Sequence, residues 1–353
     1  MRLRLFVCLT LLALAACTAP TYTPLLQGSS AGPAETVFVA TTRAEDDTGR
    51  FTGERGRGTT YLSVPVNFPR DYAPGQPARI VEVPDPETDF SVGSARRFDG
   101  PGFRAAVNRA LADEPRGKRE VTVYVHGYFN AFYTGVFRAA QLKRDFGLDG
   151  AMVHFAWPSR GSTAGYAYDR ESLLYSRDAM ERFLREIATL NADRVNVVAH
   201  SLGAMLVMET LRQIEIDNPG WVRANIDGIA FVSPDIDIEV FKSQAARFRA
   251  LPEDFVIFVS DRDRVLLLSS RYSGVRERLG NTRDVEVSTE GELTIVDLTA
   301  LADTAESRHF IPATSPTAIR ILQNSGAFAD FFPRDGIGLP IGRGVRLLQL
   351  PAE

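Results

Sequence analysis

The sequence predicts an α/β fold with a mostly parallel central sheet, helices on both faces and an extension of strands at its N-terminal end. Apolar, strand-like runs alternate with helical patterns from residue 36 to about residue 331, which is typical of βαβ units. Most of these runs are continuously apolar, so we expect the strands to be covered on both faces. The 353 residues are 44% hydrophobic and 24% charged, which excludes collagen, long coiled coils and general disorder.

The elements follow from β-branched runs and from apolar stripes at helical spacing. Runs such as VTVYV and VNVVA predict strands over 36–43, 60–66, 121–128, 151–158, 195–199, 226–233, 255–260 and 292–298. Helical patterns predict helices over 135–146, 176–190, 202–214, 239–250 and 316–331. We expect a Gly- and Arg-rich loop between the first two strands and a mostly irregular chain over 67–101.

The N-terminus predicts a lipoprotein signal peptide over residues 1–16. Arg2 and Arg4 precede an apolar run that is too short to span a bilayer. The run ends in LAAC at Cys17, which resembles the lipobox of bacterial lipoproteins, where the cysteine becomes acylated. An ordinary secretory signal with an incidental cysteine is the alternative.

The mature chain divides into a flexible tether over 17–35, an α/β domain over 36–332 and a tail over 333–353. The sequence leaves open whether the N-terminal extension, 36–101, is a separate subdomain or adds strands to the main sheet. Thr18, which follows the expected lipidated cysteine, favours the outer membrane. We therefore expect a lipid-anchored protein of the bacterial cell envelope that faces the periplasm.

The composition argues against several kinds of partner. The formal net charge is −4 and no block of five basic residues occurs, so we expect no nucleic-acid partner. The chain has four His, two Cys and no HExxH string, so we expect no metal and no cofactor. The oligomeric state does not follow from the sequence.

The segment VNVVAHSLGAMLVMETL carries the strongest chemical signal. It runs from a buried strand through His200 and Ser201 directly into a helix, which resembles the nucleophile elbow of α/β-hydrolases. Ala199 and Gly203 supply the small residues that so tight a turn requires, although the family usually has Gly where Ala199 stands. The N–H of Leu202 would be one oxyanion donor. The alternative is a serine that merely caps a helix.

The segment VYVHGYFN resembles the oxyanion loop of the same fold. Gly127 would let the chain turn sharply enough for the N–H of Tyr128 to act as the second oxyanion donor. We expect His126 to shape this loop rather than to titrate. A plain strand–turn–helix junction is the alternative.

Asp263 is the expected acid, because the segment FVIFVSDRDRVLLLS resembles the family's pattern of a strand, a small residue, two variable residues and Asp. Asp235 and Asp237, which follow the preceding strand, are rival acids, and Asp263 in a surface ion pair is the plain alternative. In this fold the triad follows the order Ser, acid, His. His309 lies where the base is expected, and a surface loop His is its alternative.

From about residue 36 to 331 the chain resembles an uncharacterised bacterial branch of the α/β-hydrolases, the esterase/lipase-superfamily enzymes. The resemblance rests on the segments VFVATTR, YVHGYFN, HFAWPSRGS, GYAYDRES, VVAHSLG, VSPDID and VSDRDRVLLLS, and on the late His309. It implies a serine hydrolase with a Ser201, Asp263 and His309 triad acting on a small-molecule or lipid ester. Trp157 and Tyr166 would lie beside the pocket mouth, unless they are plain core residues.

Two alternatives to an esterase remain at this stage. One is another acyl transfer, the hydrolysis of an amide, a peptide or a thioester. The other is a catalytically inactive hydrolase fold that serves as a binding module in the envelope. What discriminates between them is whether the three triad side chains converge.

Overall fold

A computed structural model describes residues 23–26, 31–252, 254–274, 277–282, 293–324, 339–342 and 345–349. The expected signal peptide, Cys17 and most of the expected tether lie outside these described residues. The described part of the expected tether includes Ala34 and Glu35, which already belong to the first strand.

Within the described ranges, one 12-stranded sheet forms the centre of the molecule. Its strands are β1 (Ala34–Glu45), β2 (Phe51–Asn67), β3 (Ser91–Val92), β4 (Arg96–Phe98), β5 (Glu120–Val125), β6 (Ala151–Ala156), β7 (Arg194–His200), β8 (Gly228–Val232), β9 (Asp254–Val259), β10 (Leu293–Asp297), β11 (Leu339–Gly342) and β12 (Val345–Gln349).

Helices follow most of the central strands. They are α1 (Gly100–Ala112), α2 (Phe132–Phe146), α3 (Tyr166–Ile187), α4 (Leu202–Asp217), α5 (Trp221–Asn225), α6 (Ile238–Ala245), α7 (Arg264–Ser273), α8 (Ile311–Thr314) and α9 (Pro316–Asn324). None of the helices in the described ranges combines the length and the apolar character that crossing a bilayer requires.

The strand order is β11-β12-β10-β9-β8-β7-β5-β6-β1-β2-β3, with β4 also paired to β2. Neighbours from β12 to β1 are parallel, whereas β2 is antiparallel to β1 and β11 is antiparallel to β12. The extension over 36–101 therefore adds strands to one edge of the main sheet, and the tail adds β11 and β12 to the other. The expected α/β class, with a mostly parallel central sheet and an extension of strands at its N-terminal end, is confirmed.

Both faces of the sheet are buried, as the continuously apolar strands predict. In β5, Val123 packs in one hydrophobic cluster and Tyr124 in the other; in β7, Val197 and Val198 divide in the same way. Successive side chains of a strand point to opposite faces, so this division requires helices on both sides.

Several elements differ from the sequence-based expectations, and β3 and β4 lie in the stretch expected to be mostly irregular. The Gly- and Arg-rich stretch is part of β2, where Gly53 and Gly56 allow close backbone approach: an added Cβ would lie 2.8 Å from Arg160 Cα and 2.7 Å from Arg43 O, respectively. Helix α3 begins ten residues before the apolar stripe. Helix α1, which Asp99 caps, lies partly in the stretch expected to be irregular.

Candidate active site

Ser201 occupies a strained turn between β7 and α4. Its φ is 53° and its ψ is −122°, a conformation that costs a non-glycine residue energy. Three backbone hydrogen bonds hold it. Ser201 N–H donates to Val232 O (3.0 Å), and Ser201 O accepts from the N–H groups of Asp235 (3.2 Å) and Ala204 (3.1 Å). The buried Ser201 Oγ forms no hydrogen bond within the described part of the chain. The fold thus holds a hydroxyl rigidly at the end of β7 without using it structurally.

Small residues around Ser201 allow this turn. Ala199 is fully buried. A Cβ on Gly203 would lie 2.4 Å from His126 O and 2.6 Å from Val125 O, because the first turn of α4 packs directly on the end of β5. This backbone contact explains why the turn needs a residue without a side chain at position 203.

The loop after β5 lies against the same turn. A Cβ on Gly127 would lie 2.7 Å from Ser201 Cβ and 2.9 Å from His200 O. The backbone that leads to Tyr128 therefore passes next to the serine. Leu202 begins α4, so its N–H belongs to the first helical turn, where backbone donors have no intrahelical acceptor. The two expected oxyanion donors thus come from segments that flank Ser201.

His126 is enclosed by the oxyanion loop and the end of β6. Its Nδ1 lies 2.8 Å from Gly127 O and its Nε2 lies 3.0 Å from Trp157 O, and Trp157 Nε1–H donates to His126 O (2.7 Å). Complete burial lowers the pKa of His126 well below its usual value. A neutral ring has one N–H: Nδ1–H donates to Gly127 O, and Nε2 accepts from Arg43 Nη2, which lies 3.4 Å away. The ring therefore stabilises the loop rather than exchanging protons.

Trp157 does not line the pocket mouth, contrary to the expectation from its position after a strand. Its side chain is fully buried and stacks on His126, with ring centroids 4.9 Å apart. Two hydrogen bonds link these residues, which places the indole behind the oxyanion loop. Tyr166, the other residue expected at the pocket, does line the cavity beside Ser201.

Asp263 contacts His309. The Nδ1–H of His309 donates to Asp263 Oδ2 at 2.6 Å, because a carboxylate can only accept. Asp263 is fully buried, and His309 is only slightly exposed. This bond orients the imidazole with Nε2 as its free nitrogen.

The two rival acids have other partners. Asp235 accepts hydrogen bonds from Tyr166 and Ser269 and pairs with Arg278. Asp237 caps α6 by accepting from Val240 N–H (3.0 Å). The resemblance to the family's pattern favours Asp263 over these two carboxylates, and in the structure Asp263 is the one that contacts the imidazole.

The other two histidines do not lie free in the site. His154 is fully buried in β6, and burial lowers its pKa to about 3. His200 precedes the serine, and its ring faces the loop that carries His309: Nε2–H of His200 donates to His309 O (2.9 Å). Among the described residues, His309 is the histidine that both contacts Asp263 and lines the cavity with Ser201.

Ser201 and His309 line the same cavity, which has a volume of about 490 Å³. The cavity is lined by Tyr128, Phe129, Ala164, Tyr166, Ser201, Asp235, Val265, Leu268, Ser269, Ser307 and His309. Phe129 and Leu268 lie within the segments YVHGYFN and VSDRDRVLLLS, but the sequence did not mark either of them as a cavity residue. A serine hydroxyl, an imidazole and a carboxylate around one cavity can support nucleophilic catalysis.

Arg43 ties the loops behind the cavity together. It donates to Ser159 O (3.0 Å) after β6 and to Asn130 O (2.7 Å) after β5. Burial lowers the pKa of Arg43 to about 10. The sequence shows this residue only as the end of the VFVATTR run, and its role depends on loops distant along the chain.

In the described residues no group of His, Cys, Asp and Glu is arranged to hold a metal ion.

Comparison with known proteins identifies a family. The family model described as "Alpha/beta hydrolase of unknown function (DUF900)" matches residues 102–324, more than half of the chain. This range contains Ser201, Asp263 and His309. No curated protein matches the chain.

Solved structures with a similar arrangement include three hydrolases. One is described as CIB-like, from Thermoplasma acidophilum, with 20% identity and a TM-score of 0.37, covering 62% of this chain and 90% of that one. Dienelactone hydrolase from Anabaena variabilis has 9% identity and a TM-score of 0.37, covering 78% and 93%. Carboxyl esterase 2 from Tuber melanosporum has 12% identity and a TM-score of 0.33, covering 88% and 92%.

Proposed function

Because the chain belongs to the α/β-hydrolase family of unknown function (DUF900), we propose that it is a serine hydrolase that cleaves carboxylic esters through Ser201, His309 and Asp263. The observation that carries the proposal is the 2.6 Å bond between Asp263 and His309 at the cavity that Ser201 also lines. An oriented imidazole beside a strained serine is what nucleophilic acyl transfer requires.

Acylation begins when His309 Nε2 accepts the proton of Ser201 Oγ as that oxygen attacks the ester carbonyl. Asp263 keeps Nδ1 protonated and stabilises the imidazolium that forms. The N–H groups of Leu202 and Tyr128 donate to the developing oxyanion. His309 then donates its proton to the leaving alcohol, and Ser201 carries the acyl group.

Deacylation repeats these steps with water. His309 Nε2 takes a proton from water, whose oxygen attacks the acyl carbon, and the carbonyl oxygen is again stabilised by the two N–H groups. When the tetrahedral intermediate collapses, Ser201 recovers its proton from His309 and the carboxylic acid leaves.

A fluorophosphonate probe tests the proposal, because it phosphonylates only an activated serine. We expect mass spectrometry of the purified full chain to locate the adduct on Ser201, and the adduct to be lost in Ser201→Ala and strongly reduced in His309→Ala. Hydrolysis of p-nitrophenyl butyrate should fall by at least about 10³-fold in both variants. An unlabelled wild-type chain would instead indicate a binding module without catalysis, and a label on a different serine would refute the assignment of Ser201.

We also propose that the protein is a lipoprotein anchored through Cys17 on the envelope membrane. The support is the LAAC sequence after a short apolar run. In a bacterial host, Cys17→Ala should move the full-length protein from the membrane fraction to the soluble fraction, whereas Cys8→Ala should not. Retention of the Cys17→Ala protein in the membrane fraction would contradict the anchor.

A further inference from the structure

The cavity beside Ser201 has an apolar and aromatic lining with one polar wall. Phe129, Val265 and Leu268 line it together with the rings of Tyr128 and Tyr166. The polar wall consists of Asp235 and Ser269. The carboxylate of Asp235 accepts hydrogen bonds from the hydroxyl groups of Tyr166 and Ser269. The chemical character of this wall decides which groups the cavity accepts beyond the reacting carbonyl.

The carboxylate of the polar wall is bonded to other side chains of the protein. Asp235 Oδ2 accepts from Tyr166 O–H (2.8 Å), and Asp235 Oδ1 accepts from Ser269 O–H (2.6 Å) and lies 3.2 Å from Arg278 Nε. Arg278 is almost completely buried and does not line the cavity. Both carboxylate oxygens are therefore bonded to the protein, and the cation lies behind them.

The charges around the cavity disfavour an anionic ligand. Among the residues that the structure describes, its lining includes the carboxylate of Asp235 but no Lys or Arg. A substrate carboxylate placed there would lose water without gaining a cationic partner, and it would face the negative charge of Asp235. An apolar chain has no such cost and removes the surfaces of Val265 and Leu268 from water.

We propose that this cavity binds the acyl part of the ester as an uncharged apolar chain that lies along α7 against Val265 and Leu268. This inference rests on the proposed function and names the substrate class of the same site. Each methylene that the cavity buries raises kcat/KM by about fourfold, until the chain reaches the rim. A carboxylate at the chain end lowers kcat/KM by at least about tenfold.

The first test is a series of p-nitrophenyl esters given to the purified full chain. The acetate, butyrate, hexanoate and octanoate measure the effect of length, and the hemisuccinate adds a carboxylate to a four-carbon acyl group. We expect kcat/KM to rise with length and to be lower for the hemisuccinate than for the butyrate. A flat or falling series, or equal rates for hemisuccinate and butyrate, would overturn the inference.

Two neighbouring leucines of α7 provide a matched pair of variants. Leu268 lines the cavity, whereas Leu267 does not, and their exposed fractions are 54% and 45%. Because both are exposed, a larger side chain should not disturb folding at either position. Leu268→Trp should lower kcat/KM for the octanoate at least about tenfold relative to the acetate, and Leu267→Trp should leave the length profile unchanged.

Different results would refute the proposed serine hydrolase and the proposed acyl site. If the fluorophosphonate labels Ser201 but Leu268→Trp and Leu267→Trp give the same length profile, the serine hydrolase stands and the apolar acyl site is refuted. If the probe does not label Ser201 in the wild type, the proposed function itself fails, and the acyl site fails with it.

A different contact carries a second inference, about His200. This residue immediately precedes Ser201, and its Nε2–H donates to the backbone carbonyl of His309 at 2.9 Å. Its ring stacks on Phe310, with centroids 4.4 Å apart and an interplanar angle of 22°. The elbow that carries the nucleophile therefore directly holds the loop that carries the imidazole.

We infer that His200 is a positioning residue, which fixes the position of the loop that carries His309 relative to Ser201. Its ring lies beside the imidazole of His309, with centroids 4.6 Å apart, and it takes no part in proton transfer in the proposed mechanism. Because the hydrogen bond is made to a backbone carbonyl, any donor that reaches the same point should replace it. Burial lowers the pKa of His200 well below its usual value, so the ring adds no positive charge beside the imidazolium of His309.

Two substitutions separate the hydrogen bond from the packing. His200→Phe retains a ring that can stack on Phe310 but has no N–H, whereas His200→Gln retains an N–H donor. With active sites counted by fluorophosphonate, we expect His200→Phe to lower kcat at least about tenfold with KM within about twofold, and His200→Gln to recover most of the loss. Wild-type kcat in His200→Phe, or equal losses in both variants, would refute the positioning role.

Discussion

Asp263 makes two different sets of contacts with its two carboxylate oxygens. Oδ2 accepts from His309, and Oδ1 accepts from the N–H groups of Val265 (3.0 Å) and Leu266 (3.1 Å), which cap the N-terminus of α7. The cap fixes the carboxylate, so that the imidazole meets an acceptor that is already oriented. Because α7 also carries Val265 and Leu268, Asp263 links His309 to the helix that forms one wall of the cavity.

Two substitutions at position 263 should separate these contacts. Asp263→Asn keeps an oxygen that can cap α7, but its amide group cannot play the part of the carboxylate toward His309, so we expect kcat to fall about 10³–10⁴-fold with stability nearly unchanged. Asp263→Ala should lose activity and also about 1 kcal/mol of unfolding free energy with the cap. Steady-state kinetics and urea denaturation measure the two effects. Equal stability losses in both variants would argue against the capping role.

At the scale of elements, the site depends on how closely α4 packs on β5. Gly203 makes this approach possible, since the nearest atoms to an added Cβ would be the backbone oxygens of Val125 and His126, which cannot rotate away as a side chain can. The same approach brings the loop with Gly127 against Ser201. The distance between Ser201 and the loop after β5 is thus set by a helix–strand contact.

Gly203→Ala should therefore affect both stability and activity. We expect it to lower the free energy of unfolding by about 1–3 kcal/mol or more and to reduce kcat, because the elbow must move away from β5. Gly58→Ala is the matched control: Gly58 lies in β2, and an added Cβ would have nothing within 4 Å. Urea denaturation and ester hydrolysis of both variants provide the measurements. A Gly203→Ala protein that resembles Gly58→Ala would refute the close-packing argument.

At the scale of the whole molecule, a sheet covered on both faces buries three histidines: His126, His154 and His200. Burial is the main cause that lowers the pKa of each, to about 3 for His154 and well below the usual value for the other two. In the unfolded chain the same groups titrate near their ordinary pKa of 6.5. At a pH between the lowered pKa of the folded chain and 6.5, the unfolded chain therefore binds protons that the folded chain does not bind.

The protein should therefore lose stability as the pH falls below about 6.5. Each buried histidine contributes up to about 1.4 kcal/mol per pH unit, so the three together should lower the free energy of unfolding by up to about 4 kcal/mol per unit. Denaturant unfolding between pH 7.5 and 5 measures this slope. His154→Gln should reduce the slope by about a third, and a stability that is constant or rises on acidification would contradict the prediction.

The α/β architecture and most of its strands could be predicted from the sequence, because the strand-like runs and helical stripes are local patterns. The extent of β2 and helix α1 could not. A Gly-rich strand owes its place to backbone contacts with Arg43 and Arg160, and no local pattern reports such contacts. The expected lipidation at Cys17 lies outside the described residues and stays a prediction.

The candidate site likewise has features that the local sequence predicts and features that depend on contacts between distant segments. The turn around Ser201 is a local structure, since a buried strand that runs through small residues into a helix is visible in seventeen consecutive letters. Which acid meets His309 is a long-range question: Asp235 and Asp263 follow adjacent strands, and only the packed loops direct Asp263 to the imidazole and Asp235 to Tyr166 and Arg278. The sequence by itself determined the fold and the residue types of the site. The tertiary structure decided their partners, buried Trp157 and built the cavity, because those depend on contacts between segments far apart along the chain.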